Sequence, residues 1–284
     1  MPSLILPSPL VSVDWLKSHI EHSDLVLLDS SWFMPNVNRD GQLEWFQERI
    51  PGALFFDFDR EVCNHHSELP HMMPSEADFQ QSAQDLGISQ SSTIVVYDSL
   101  GIFSSPRVWW MFKSMGFKQI AVLDGGLPAW KANGLATESG NKIKPVEKGD
   151  FIADYQSALI CDADKVLSAT QNPEQAIIDA RPSARFLGEV PEPRAGVRSG
   201  HMPNAKNLPA ADILKDQKML DAYQLARLFE AIAPKKQHII FSCGSGVTAC
   251  ILALGAALAG YEDLCVYDGS WSEWGSRDDL PVVK

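Results

Sequence analysis

The chain is written twice. Leu27-Leu-Asp29 is matched by Ile177-Ile-Asp179, and Ile50-Pro-Gly-Ala53 by Met202-Pro-Asn-Ala205. Thr93-Ile-Val-Val-Tyr-Asp98 is answered by His238-Ile-Ile-Phe-Ser242, and Leu123-Asp-Gly-Gly-Leu-Pro-Ala-Trp130 by Tyr267-Asp-Gly-Ser-Trp-Ser-Glu-Trp274. The matches keep their order at an offset of about 150 residues, the size of one ordinary domain. A chain of 284 residues that repeats at this length folds as two similar units.

Within each copy, short apolar runs alternate with helical stretches. Pro106 to Met115 reads as a helix with its tryptophans and methionines turned inward, and Ala249 to Ala259 plays the same part in the second copy. Strands and helices alternating at this length imply βαβ units, hence a doubly wound α/β fold around a parallel sheet with helices on both faces. Ligands on such sheets bind beyond the carboxyl ends of the strands. Between the copies, Glu138-Ser-Gly-Asn-Lys-Ile-Lys-Pro-Val-Glu-Lys-Gly-Asp150 is polar, aperiodic and broken by glycine and proline. The expected division is an N-terminal domain over 1–138, a linker over 139–158 and a C-terminal domain over 159–284.

One loop carries the chemistry. The strand-like run His238-Ile-Ile-Phe-Ser242 ends at Cys243, and Gly244-Ser-Gly-Val-Thr248 leads into a helix of small residues. A cysteine there meets several backbone N–H groups and the positive end of a helix dipole, a setting that favours the reactive thiolate. Glycines at 244 and 246 let the backbone curl around the sulfur. Other readings of the loop fail on single residues. A P-loop needs a lysine after its glycines, and a Gly-x-Ser-x-Gly elbow needs glycine where Cys243 stands. A cysteine phosphatase needs an arginine at 249 to hold phosphate, and that residue is alanine. At the place equivalent to Cys243 the first copy is expected to carry Ser99, so one copy alone is active.

Composition bounds the partners. A net charge of −12 argues against a nucleic-acid-binding face, which needs clustered positive charge. No run approaches the roughly 20 apolar residues of a membrane span. The five cysteines form no C-x-x-C pair, so neither a disulfide framework nor a zinc site is expected. His65-His66, near Cys63, have poor metal-ligand spacing, and Cys250 reads as a packed residue of the helix after the loop. The start Met1-Pro-Ser-Leu-Ile-Leu-Pro7 lacks a basic n-region, so a reducing cytoplasm is the expected compartment.

The loop Cys243-Gly-Ser-Gly-Val-Thr-Ala249 resembles the active loop of the 3-mercaptopyruvate sulfurtransferases, the tandem-domain relatives of rhodanese. Ile50-Pro-Gly-Ala, Gly200-His-Met-Pro, Ser105-Pro-Arg-Val-Trp-Trp110 and Tyr267-Asp-Gly-Ser-Trp-Ser-Glu-Trp-Gly275 extend the resemblance over nearly the whole chain. Arg49 departs from it, since the family often has histidine before Ile-Pro-Gly.

The resemblance implies two rhodanese-like domains with the nucleophile in the second and no cofactor. It implies a sulfur transfer from 3-mercaptopyruvate through a Cys243 persulfide to cyanide or a thiol such as thioredoxin or glutathione, with release of pyruvate. Arg185 and Arg194 match the family's two substrate-binding arginines, and Gly244, Gly246, Val247 and Thr248 its substrate-binding loop. Ser245, His71 and Asp59 match a Ser–His–Asp arrangement drawn from both domains, with Asp57 a rival for its third place. The loop after Cys243 has no cation, which suits a donor with one carboxylate better than the dianion thiosulfate. A thiosulfate:cyanide sulfurtransferase and a persulfide carrier for a protein partner are the alternative readings.

Overall fold

The computed structural model describes residues 4–140, 146–235 and 237–284. Residues 141–145 of the expected linker lie outside the described residues.

The chain forms two compact units. The first contains β1 (Leu10–Val11), α1 (Val13–His19), β2 (Leu25–Asp29), α2 (Gly41–Gln47) and β3 (Leu54–Phe55). It continues with α3 (Glu76–Asp85), β4 (Thr93–Tyr97), α4 (Ser105–Ser114), β5 (Ile120–Leu123) and α5 (Gly126–Ala132). The second half supplies β6 (Ile160–Cys161), α6 (Ala163–Ala169), β7 (Gln175–Asp179), α7 (Ser183–Phe186) and β8 (Lys206–Asn207). After a short ribbon of β9 (Leu214–Lys215) and β10 (Lys218–Met219) come α8 (Ala222–Glu230), β11 (His238–Ser242), α9 (Ala249–Leu258), β12 (Leu264–Tyr267) and α10 (Ser270–Trp274).

Each unit is built on a five-stranded parallel sheet, in the orders β1-β5-β4-β2-β3 and β6-β12-β11-β7-β8. The two orders are the same order, so the duplication read from four motifs extends through both five-stranded sheets. Central strands are covered on both faces, which is why Thr93–Tyr97 and Ile239–Ser242 read as continuous runs of buried residues. The helices start where short polar side chains accept N–H groups that no helical carbonyl can reach. Ser12 caps α1, Ser75 caps α3 and Asp162 caps α6, while Asp221 and Gln224 form a reciprocal capping box on α8. The expected inward tryptophans of α4 are there: Trp109 and Trp110 are fully buried. Arg49, the departure from the family pattern, is a buried anchor whose guanidinium binds Glu138 Oε1 at 2.9 Å, Gly140 O at 2.8 Å and the face of Trp45.

Strand register corrects one expectation. Asp29 pairs with Tyr97 and Asp179 with Ser242, so the residue that follows β4 in the first copy, opposite Cys243, is Asp98 and not Ser99. The next layer agrees, since Leu127 N–H donates to Asp98 O and Trp271 N–H donates to Cys243 O.

The units also do not follow the chain strictly. Residues 65–72 cluster with the second unit and residues 216–218 with the first. His71 and Gln217, each five positions before its helix, share the left-handed backbone at φ 62° and 65°. No helix among the described residues is long and apolar enough to cross a membrane.

Candidate active site

Cys243 sits where β11 ends, 1% exposed, and the loop 243–248 delivers the chain into α9. Gly246 is at φ 75°, a conformation that an L side chain resists. Gly244 has an ordinary φ, and a Cβ there would stand 3.4 Å from Arg185 Nη2, an ordinary contact that puts the guanidinium beside the loop. Val247 and Ser245 are buried, and Thr248 and Gly244 are half-buried. Cys250 Sγ donates to Gly246 O at 3.2 Å, which places this second thiol in the packing of the loop.

The first copy shows what such a loop holds. Asp98 is 1% exposed, and its Oδ2 accepts from the N–H groups of Phe103, Ser104 and Ser105 at 2.9, 3.1 and 2.9 Å and from Ser105 Oγ at 2.6 Å. Its Oδ1 accepts from Leu100 N–H at 3.0 Å. These donors stand at the start of α4, where the helix leaves its first N–H groups unbonded. Counting back from the first residues of α4 and α9, they correspond to Val247, Thr248 and Ala249 of the second copy.

Two side chains outside the expected site, Ser270 and Ser272, brace the Cys243 loop, and a third, Glu192, holds Arg185. Ser270, fully buried, accepts the Cys243 N–H on its Oγ at 3.1 Å and donates to Tyr267 O at 2.8 Å. It does so at φ 49°, where the first copy has Gly126 at φ 51°. A non-glycine residue accepts left-handed strain here because its hydroxyl is needed beside Cys243. Ser272 N–H and Oγ both donate to Gly244 O, at 2.8 and 2.6 Å, and Arg194 Nη1 donates to the same Oγ at 3.0 Å. Glu192 binds the Nε and Nη2 edge of Arg185, with Oε1 at 3.3 Å from Nε. The Asp-Gly-Ser-Trp motif was visible in the sequence, but its backbone conformation was not.

The second unit contains Cys243, Gly244, Ser245, Gly246, Val247, Thr248, Arg185, Arg194 and, through residues 65–72, His71. His71 is 4% exposed. Asp59 belongs to the first unit. There it lines a cavity of about 240 Å³ together with Asp57 and Arg60. The cap in that turn is Asp57, whose Oδ1 accepts the N–H groups of Asp59 and Arg60 at 3.1 and 2.8 Å while burial pushes its carboxyl above the usual range.

A duplicated parallel sheet with a cysteine cradled at the start of a helix is the rhodanese architecture, and the rhodanese-like domain family matches residues 12–133 and again 162–277. The chain belongs to that family. Among its relatives, the mitochondrial thiosulfate/3-mercaptopyruvate sulfurtransferase 1 of Arabidopsis thaliana is 40% identical over 99% of this chain and 79% of its own length. The 3-mercaptopyruvate sulfurtransferase of Escherichia coli (strain K12) is 38% identical over 96% of both chains. The crystal structure of SseA from Escherichia coli, described as a 3-mercaptopyruvate sulfotransferase, superposes with a TM-score of 0.84 at 34% identity, covering 93% of this chain and 99% of that one.

Proposed function

We propose that this chain is a sulfurtransferase that takes sulfur from 3-mercaptopyruvate. The Cys243 thiolate attacks the donor's sulfur and forms an S–S bond. The carbon–sulfur bond breaks, its electron pair passes to the enolate of pyruvate, and a proton completes the methyl group. A thiol such as thioredoxin or glutathione, or cyanide in an assay, then attacks the outer sulfur and returns the thiolate. This is covalent catalysis by double displacement.

The observation that carries the reading is the charge arrangement around one buried thiol. Residues 244–248 hold no cation, and Arg185 Nη2 stands against Gly244. A donor bearing one carboxylate reaches a planar guanidinium beside the nucleophile, while its sulfur lies in the loop. Arg194, held by Ser272 against Gly244 O, is the second carboxylate ligand. The N–H groups of Val247, Thr248 and Ala249 hold the sulfur anions, as their counterparts hold the Asp98 carboxylate.

Ser245 and His71 carry the proton to the leaving enolate, a hydroxyl and an imidazole being groups that relay protons. The swapped positions support His71 in this role: Gln217, its counterpart, lies against Gly101 of the first copy's loop. Asp59 is the third member of that relay on the family resemblance alone. No metal or organic cofactor enters the scheme. The names of the relatives include thiosulfate as well as mercaptopyruvate, so donor choice is the test. Steady-state transfer to cyanide is expected to give the larger kcat/KM with 3-mercaptopyruvate, with one pyruvate per thiocyanate. A larger value with thiosulfate refutes the donor assignment.

A further inference from the structure

The arginine beside the active loop is itself held by a buried carboxylate. The Glu192 side chain is 3% exposed, and its two oxygens bind Arg185 through Nε and Nη2. Its Oε1 also accepts from Arg181 Nη1 at 2.9 Å. Arg181, 1% exposed, places Nε and Nη2 on Asp179 Oδ2 at 3.0 and 2.8 Å and Nη2 on Gly200 O at 2.8 Å. Its guanidinium lies 4.1 Å over the ring of Trp271, whose backbone N–H donates to Cys243 O. Two cations and two anions thus run from the end of β7 to Gly244, and their charges cancel.

The first copy is an internal control. Asp29 occupies the place of Asp179, but Ser31 stands where Arg181 would be, and its N–H donates to Asp29 Oδ1 at 2.9 Å. That copy folds around the same strand order without the arginine. Among the described residues the ionic chain has no counterpart in the first copy, so the shared strand order does not require it. A buried ionic network is a costly way to stabilise a fold, and apolar packing of the same volume often does as well.

We propose that Glu192 is a positioning residue that also selects the sulfur donor. It occupies the Nε–Nη2 edge of Arg185, locks the guanidinium against Gly244 and leaves the Nη1 side to the donor's carboxylate. It also cancels the charge of Arg185, so the pocket matches a monocarboxylate and rejects a compact dianion such as thiosulfate. The assignment rests on Arg185 as a donor ligand, the reading given under Proposed function.

The test compares Glu192→Gln, Glu192→Asp and the surface control Glu230→Gln with the unsubstituted chain, using cyanide as acceptor and both donors. Glutamine keeps the shape and one acceptor oxygen but uncovers a positive charge. The kcat/KM for thiosulfate relative to mercaptopyruvate is expected to rise roughly tenfold, the scale of one unit charge about 10 Å away at an effective dielectric constant of about 20. Glu192→Asp keeps the charge one methylene further back. It is expected to hold the donor ratio while raising the mercaptopyruvate KM with kcat little changed. Glu230→Gln holds both parameters. Equal losses for both donors in Glu192→Gln, or no change in either, overturn the proposal, and if that variant does not fold, an altered donor ratio in Glu192→Asp does so. A preference of the unsubstituted chain for thiosulfate refutes the donor assignment instead, and the change of ratio between it and Glu192→Gln still decides the role of Glu192.

Discussion

Replacing Ser270 separates two effects that the structure superimposes. Its φ of 49° is strained for an L residue by about 1–2 kcal/mol. Its hydroxyl satisfies the Cys243 N–H at 3.1 Å and the Tyr267 carbonyl at 2.8 Å, in a place with no exposure to water. Ser270→Ala keeps the strain and strands both partners, at about 1–3 kcal/mol for each buried group left unsatisfied. Ser270→Gly strands the same partners but relieves the strain. Glycine is therefore expected to be the more stable variant by about 1 kcal/mol, against the usual penalty for placing glycine in a folded segment. Both variants lose the group that fixes the backbone at Cys243, so, if the proposed function holds, kcat is expected to fall about tenfold in each, equivalent to ~1.4 kcal/mol of barrier. Urea denaturation midpoints and steady-state kinetics on the two proteins measure both quantities. Alanine as stable as glycine would refute the strain argument, and full kcat in either would refute the bracing role.

Other expectations concern the first copy and the arginines. Burial without a cation raises the Asp29 carboxyl to about 7 from an ordinary 3.8, so the unfolded chain gives up this proton at lower pH than the folded one. The stability that Asp29 contributes is complete below about pH 4 and is lost as pH rises through about 7. Asp29→Asn removes that dependence, so the melting temperature of the variant should gain on that of the parent between pH 5 and pH 8; parallel curves count against the shift. Asp98→Ala strips the acceptor from four backbone N–H groups and one hydroxyl, and is expected to destabilise the protein by about 3 kcal/mol or more, with a change below about 1 kcal/mol contradicting the cradle. Arg185→Ala and Arg194→Ala should raise the mercaptopyruvate KM well beyond any loss in kcat, and unchanged kinetics would remove them from the donor site.

The sequence carried most of the architecture because duplication and apolar runs are local signals. Strand β11 was read to the residue, and α4 and α9 to within one. Register was harder. The first loop takes seven steps from Asp98 to the start of α4, where the second takes six from Cys243 to α9, so counting back from the helices places Ser99 opposite the thiol. Only the pairing of Asp29 with Tyr97 and of Asp179 with Ser242 exposed the carboxylate in the cradle. Glu192 and Arg181 were invisible for a different reason. Each looks like a surface charge in a loop rich in proline and glycine, and nothing in composition reveals that folding buries their side chains to 3% and 1% exposure. Ser270 lies in the Asp-Gly-Ser-Trp motif, but its role depends on a backbone angle that the motif does not reveal. The resemblance names His71, but its counterpart Gln217 is apparent only from the left-handed backbone the two share and from the units to which they belong.

The central claim is that Cys243 takes the donor's sulfur as a persulfide. Intact and peptide mass spectrometry after one addition of 3-mercaptopyruvate, with no acceptor present, tests it most directly. The account predicts one extra sulfur atom per chain, located on the peptide containing Cys243, with an equal amount of pyruvate and no sulfur gained by Cys243→Ser. Sulfur on Cys250 or another cysteine, or pyruvate formed without any sulfur on the chain, would contradict it.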